Sequence, residues 1–230
     1  MPNPDEQRAA SEFDDWASTG RAESMAEGHR GITGAAIAHW SLDSSSVVLD
    51  VGCGNGWAVR WLLERGAGRG LGVDISAGMI DRARQATAGD ERFDFRVGSS
   101  QQLQLEDGTV SHLLSVESLY YYPDPAAALA EWARVTRAGG ELVVVIDLYA
   151  ENRATHAWVD ALDVDVHLLS AEGCRTMAEA GGWQDVRTWQ VQDPRPIKPA
   201  TEFEPSRYWP SHQMYLDYRQ AGALVLAGRR

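Results

Sequence analysis

VVLDVGCGNG, residues 47–56, places four branched apolar residues, one acid and three glycines in ten consecutive positions. Val47, Val48, Leu49 and Val51 are interrupted only by Asp50. That is the pattern of a strand buried on both faces, as in a parallel sheet, and not of one that alternates between core and water. Gly52, Gly54 and Gly56 follow at once, and the apolar spacing of a helix begins near Trp57. A backbone this bare at the end of a buried strand is suited to positive φ and to close approach by a ligand, which the N-H groups of the next helix would also attract.

The same alternation extends outward. The spacing predicts a helix over 57–65, a strand over 69–74 (RGLGVD) and a helix over 77–87 capped by Ser76. Strands follow at 92–97 and 110–116. Next comes a helix opened by Asp124 and Pro125 and closed by Gly139 and Gly140, then a strand at 141–147. Helices are expected in ENRATHAWVDAL and AEGCRTMAEAGG, with strands near 183–191 and 222–228. Because right-handed crossovers return each helix to a sheet face, this order predicts an α/β fold. The expected architecture is a doubly wound, mostly parallel seven-stranded sheet with helices on both faces and an antiparallel last strand.

One domain is expected over 1–230. Residues 1–42 read as a helical cap, with helices over 5–27 and 31–41, and Phe13, Trp16 and Ala17 share a face. Residues 193–219 read as an excursion between the last two strands: five of the nine prolines fall in DPRPIKPATEFEPSRYWP, and proline cannot serve a central strand.

Composition excludes several classes. The formal charge of -12, with Lys198 the only lysine, opposes nucleic-acid binding. No apolar run suits membrane insertion, and the first residues lack the pattern of a signal peptide, so a cytoplasmic protein is expected. Cys53 and Cys174 provide neither a disulfide framework nor zinc spacing, and no metal is expected.

The glycine turn decides between ligands. A dinucleotide turn reads G-x-G-x-x-G, but here the third glycine position is Trp57, whose indole would obstruct a pyrophosphate. Asp74, ending the second strand, suits the hydroxyls of a ribose in either case. An NAD-dependent oxidoreductase is therefore the weaker reading.

VVLDVGCGNG, GVDIS with Met79, and RVTRAGGELVVVID, in this order, resemble the motifs of class I S-adenosylmethionine-dependent methyltransferases. The resemblance spans roughly residues 10–150 and is similar in flavour to the small-molecule group that includes ubiquinone and menaquinone methyltransferases. It implies S-adenosylmethionine as cofactor, S-adenosylhomocysteine as product and a small-molecule methyl acceptor. Gly52, Cys53, Gly54, Asn55 and Gly56 would approach the methionine part, with Asp50 orienting the loop. Asp74 would hold the ribose, with Ile75 and Met79 on the adenine. Gly98, Ser99 and Ser100, followed by Gln101, stand where relatives often carry Gly-Asp-Ala, and a hydroxyl or amide there can still accept from the adenine amino group. Val116 would border the cofactor, and Arg21 would reach its carboxylate.

Strand-end position makes Glu117 and Asp147 the candidate bases, with His156 behind them. Trp16, Trp57, Tyr121, Tyr149 and Trp158 are the candidate acceptor walls. A non-catalytic sensor or partner subunit that binds S-adenosylmethionine is the alternative function. Oligomeric state is open.

Overall fold

Leu49 and Val51 point into one apolar cluster and Val48 into another, the two faces of a strand covered on both sides. This strand, β1 (Val47–Val51), lies between β2 (Arg69–Asp74) and β4 (Val110–Val116), parallel to both. In this computed structural model, which describes residues 4–18, 21–162 and 164–230, the remaining strands are β3 (Phe93–Val97), β5 (Thr136–Ile146), β6 (Gln184–Val191) and β7 (Ala223–Arg229). They form one seven-stranded sheet in the order β3-β2-β1-β4-β5-β7-β6. Only β7 runs against its neighbours, pairing antiparallel with β5 and β6, so the expected doubly wound sheet with a reversed last strand is the fold observed.

Helices cover both faces. On one, α3 (Trp57–Glu64) buries Ala58, Val59 and Leu62; on the other, α5 (Pro125–Val135) buries Leu129 and Trp132 beside α7 (Ala171–Ala180). Their starts follow from sequence. Ser76 Oγ accepts from Met79 N at 3.0 Å to open α4 (Ala77–Ala86), and Asp124 Oδ1 accepts from Ala127 N at 3.0 Å to open α5. Strand order reverses between β1 and β4, so the carboxyl ends of these two strands flank a crevice.

Several boundaries differ from expectation. Helix α5 ends at Val135 and not at Gly139–Gly140, because Thr136 already pairs with Val110 across a register shift in the β4/β5 ladder. The N-terminal helices are α1 (Pro4–Ser18) and α2 (Arg21–Ala36), which lets α1 pack on α4 while α2 packs on α3 and β5. Glycines permit the closeness of α2: a Cβ on Gly31 would lie 2.7 Å from Pro194 Cγ. ENRATHAWVDAL forms only a 3-10 turn at Arg153–Thr155 and the short α6 (Ala157–Ala161). The proline-rich stretch ends in α8 (His212–Ala221), whose buried Arg219 donates to the carbonyls of Asp193, Arg195 and Pro196 and so staples the excursion to itself. Among the described residues, no helix is long and apolar enough to cross a membrane.

Candidate active site

Each of the three glycines after β1 has positive φ, 76°, 51° and 72°, but they serve different needs. A Cβ on Gly52 would lie 2.4 Å from Ser118 Cβ, and one on Gly56 2.6 Å from the Phe95 ring, so both are packing requirements. At Gly54 the nearest atom among the described residues, chain neighbours aside, would be Met79 Sδ at 3.9 Å, because this position borders open space. Gly54 N-H donates to Asp74 Oδ2 at 2.8 Å and Ser76 N-H to Oδ1 at 2.9 Å. Each oxygen of Asp74 keeps acceptor capacity for one more donor, as a ribose diol requires. Burial raises the Asp74 carboxyl above its usual range, opposed by the N-H groups of Ser76 and Gly54.

Beside this turn lies a cleft of about 1020 Å³, open mouth included. Gly52, Cys53, Gly54, Asn55, Asp74, Ile75, Met79, Ser99, Ser100 and Val116 all line it, as do Trp16, Trp57, Tyr121 and Glu117. Helix α1 closes one side. Asp14 Oδ1 accepts from Ser76 Oγ at 2.5 Å and from Gly78 N at 2.9 Å, and Ser99 Oγ donates to Glu6 Oε1 at 2.5 Å. Burial, then the nearby Asp74 and Asp50, hold the Cys53 thiol well above its usual range, which removes it as a nucleophile.

Two residues of the lining, His29 and Glu117, meet Asp147 behind it, the ligand-type atoms of all three within 4.8 Å of one another. Glu117 follows β4 with φ of 53°, a left-handed conformation uncommon for a non-glycine residue. Its Oε1 accepts from Asp147 N at 2.6 Å and its Oε2 from Tyr120 OH at 2.8 Å. Asp147 Oδ2 accepts from Tyr218 OH at 2.6 Å and lies 3.4 Å from His29 Nε2. His29 Nδ1 lies 2.8 Å from the Met25 carbonyl, which can only accept, so Nδ1 carries a proton. A second proton on Nε2 satisfies the facing carboxylate, making His29 an imidazolium. Burial disfavours that charge, but the hydrogen bond to Asp147 and the charges of Glu117 and Asp147 raise the ring to about 9. Burial, then the charge of Asp147, pushes Glu117 up to about 8, while His29 pulls it down.

Other expected site residues lie elsewhere. Asp50 is buried below the turn with Oδ1 unpartnered, and Gly56 packs on Phe95. Gln101 N-H donates to Ser99 Oγ outside the cleft lining. His156 Nε2 bonds the Ala150 carbonyl at 3.0 Å, the Tyr149 hydroxyl bonds the Gly222 carbonyl at 3.2 Å, and Trp158 Nε1 donates to the Tyr208 carbonyl at 3.0 Å. None of those three side chains lines the cleft; His156 and Trp158 lie in ENRATHAWVDAL, which forms short turns instead of the long helix expected. The Arg21 side chain lies outside the described residues. Sequence reading missed His29, Phe13 and Ser118 as site residues, and these, with Tyr122, line the cleft. Phe13 was legible only as the helical partner of Trp16, and His29 carried no signal, since its role depends on α2 crossing the end of β5.

A doubly wound sheet whose first strand ends in a glycine turn, with an acid on the next strand end and a cleft between, defines a nucleoside-binding architecture. The chain belongs to the class I S-adenosylmethionine-dependent methyltransferases. A methyltransferase-domain family profile matches residues 49–144. The chain solved in complex with the Haloferax volcanii Trm112 methyltransferase activator superposes with a TM-score of 0.86 at 32% identity, over 95% of this chain and 97% of that one. A malonyl-[acyl-carrier protein] O-methyltransferase of Yersinia pestis is 37% identical over 46% of this chain and 37% of its own length. A 2-methyl-6-phytyl-1,4-hydroquinone methyltransferase of Synechocystis is 35% identical over 47% of this chain and 36% of its own. The chain thus spans well under half the length of these two curated relatives. The cofactor fits the turn: Gly54 leaves room where a Cβ would stand, and Asp74 offers two acceptors.

Proposed function

We infer that this chain transfers the methyl group of S-adenosylmethionine to a small-molecule acceptor held between α1, α2 and the carboxyl ends of β4 and β5. The bound cofactor supplies an activated methyl on a sulfonium. Asp74 holds the ribose, the Gly52–Gly54 backbone borders the methionine portion, and Ile75 and Met79 flank the adenine. Such a reaction asks the protein chiefly to align an acceptor and exclude water, worth on the order of 7–11 kcal/mol when geometry is well set. Helix α1, pinned to α4 through Asp14, covers the cleft and does the excluding.

Glu117 is the proton acceptor. It lines the cleft, and a carboxyl raised to about 8 is matched to general-base work near neutral pH. Asp147 and His29 act behind it as a buried pair that fixes its position and charge. The observation that carries this reading is one cleft lined both by Asp74, at the end of β2, and by Glu117, just after β4, on either side of β1. Incubation with S-adenosylmethionine labelled in its methyl group and a panel of small acceptors tests it. Label should appear in a small product, and cofactor binding without transfer to any acceptor would return weight to a sensor role.

A second reading concerns assembly. The similarity to the chain solved with the Trm112 activator runs nearly end to end, which favours a small activator protein as partner for this chain too. Co-expression with such an activator, followed by size exclusion, should give a joint peak. Separate elution would contradict it.

A further inference from the structure

The charges around the cleft narrow the acceptor class, and this rests on the methyltransferase reading above. Among the described residues, no lysine or arginine lines the cleft. Both nitrogens of its one imidazole, His29, are engaged by Met25 and Asp147. Among the described residues, an anionic acceptor would therefore meet carboxyl groups and one imidazolium already paired with Asp147, at a cost that burial makes larger. Among the described residues three acids line the cleft: Asp74 is tied to the glycine turn, Glu6 accepts from Ser99, and Glu117 follows β4, on the other side of β1 from Asp74.

From Glu117 a chain of ring contacts leads through buried Tyr120 to three rings that line the cleft, Tyr121, Phe13 and Trp16. Tyr120, whose hydroxyl is bonded to Glu117, lies 4.4 Å from Tyr121 between ring centroids. Tyr121 is 5.1 Å from Phe13, and Phe13 is 5.2 Å from Trp16. A carboxylate at the head of a run of π faces is the surrounding that an ammonium group with an apolar body prefers.

We propose that the acceptor is a protonated primary or secondary amine with an aromatic or aliphatic body, its ammonium paired with Glu117 and its body laid along Tyr121, Phe13 and Trp16. Glu117 accepts one N-H proton: that N-H bond breaks, an O-H bond forms, and the electron pair stays on nitrogen. The nitrogen pair then forms the bond to the methyl carbon as the carbon-sulfur bond breaks. Its electrons go to sulfur, leaving S-adenosylhomocysteine and an N-methylated ammonium. The proton on Glu117 returns to solvent when the product leaves. His29 is a positioning residue here, its imidazolium offsetting Asp147, and the ammonium of the acceptor draws Glu117 into the carboxylate form that pairs with it.

The test is calorimetric binding to the full chain saturated with S-adenosylhomocysteine, with phenethylamine and tryptamine as probes against 2-phenylethanol and 3-phenylpropionate. An amine should bind at least about tenfold tighter than the matched alcohol, a preference of about 1.4 kcal/mol. The carboxylate should bind weakest. Glu117→Gln should erase the preference while retaining affinity for S-adenosylhomocysteine. If that variant does not fold, Phe13→Leu should weaken the amines several-fold with the product cofactor still bound. Equal or tighter binding of the alcohol or acid, no binding of either amine, or an amine affinity abolished by a chelator overturns the proposal; the last would mean that a divalent ion occupies the His29–Glu117–Asp147 cluster. Loss of S-adenosylhomocysteine binding by the unaltered chain would instead overturn the methyltransferase reading itself.

Discussion

The Gly54 amide donates to Asp74 Oδ2 at 2.8 Å, so the glycine turn after β1 and the acid ending β2 form one cradle although twenty positions separate them. Removing the carboxylate takes away the tie and the diol acceptors together. Asp74→Ala is expected to weaken S-adenosylhomocysteine by more than about 100-fold, since two hydrogen bonds to a charged group contribute about 1.5–3 kcal/mol each. Calorimetry checks this, with circular dichroism to confirm the fold. An affinity within a few-fold of the parent would remove Asp74 from the ribose.

Gly54 and Gly56 should separate binding from folding. A methyl at Gly56 would strike Phe95 at 2.6 Å from a left-handed backbone, so Gly56→Ala should lower Tm sharply or prevent folding. Gly54→Ala meets open space and bears only the strain of its positive φ, about 1–2 kcal/mol. It should fold, yet bind the cofactor poorly because the new methyl enters the cradle. Thermal melts with and without S-adenosylhomocysteine distinguish the two.

Buried acids give the free protein a signed pH dependence. Burial, then the charge of Asp74, pushes Asp50 up to about 8, so between about 4 and 8 the folded chain retains a proton that the unfolded chain has released. Stability therefore falls as pH rises through that window. His29 acts in the same direction: its pairing with Asp147 is fully present below 6.5 and is lost as pH rises toward about 9. The Tm of the cofactor-free protein should decline from pH 6.5 to 9, and Asp50→Asn should flatten the decline. A Tm that rises over this range would contradict the assignment.

His29 pulls the Glu117 carboxyl down against burial and Asp147. His29→Gln removes that charge, so Glu117 should titrate above about 8 and the acid limb of the kcat/KM profile should move to higher pH. A purely structural role for His29 would lower activity evenly and leave the limb in place.

The cradle was more legible in the sequence than the catalytic end because it is built locally. Val47 to Gly56 is a contiguous strand and turn, and Asp74 ends the next strand, so alternation and spacing are enough to join them. Strand ends likewise pointed to Glu117 and Asp147. The helix crossing the cleft was another matter. His29 meets Asp147 because α1 and α2 divide where they do, and no periodicity marks that angle. His156 and Trp158 were misplaced for a related reason: ENRATHAWVDAL has helical spacing, but the chain makes short turns there, with His156 bonding the Ala150 carbonyl and Trp158 packing against Tyr208 and Trp209. Tertiary packing outweighed local propensity at each of these positions.

The most direct test of the account measures cofactor affinity and single-turnover methyl transfer side by side in the parent chain and in Glu117→Gln. With Asp74 and the glycine turn untouched, the variant should hold S-adenosylhomocysteine within about twofold while transfer slows by about 100-fold or more, the scale of a lost general base. Transfer at the parent rate, or affinity that falls together with transfer, would contradict a cleft that binds the cofactor at Asp74 and moves a proton at Glu117.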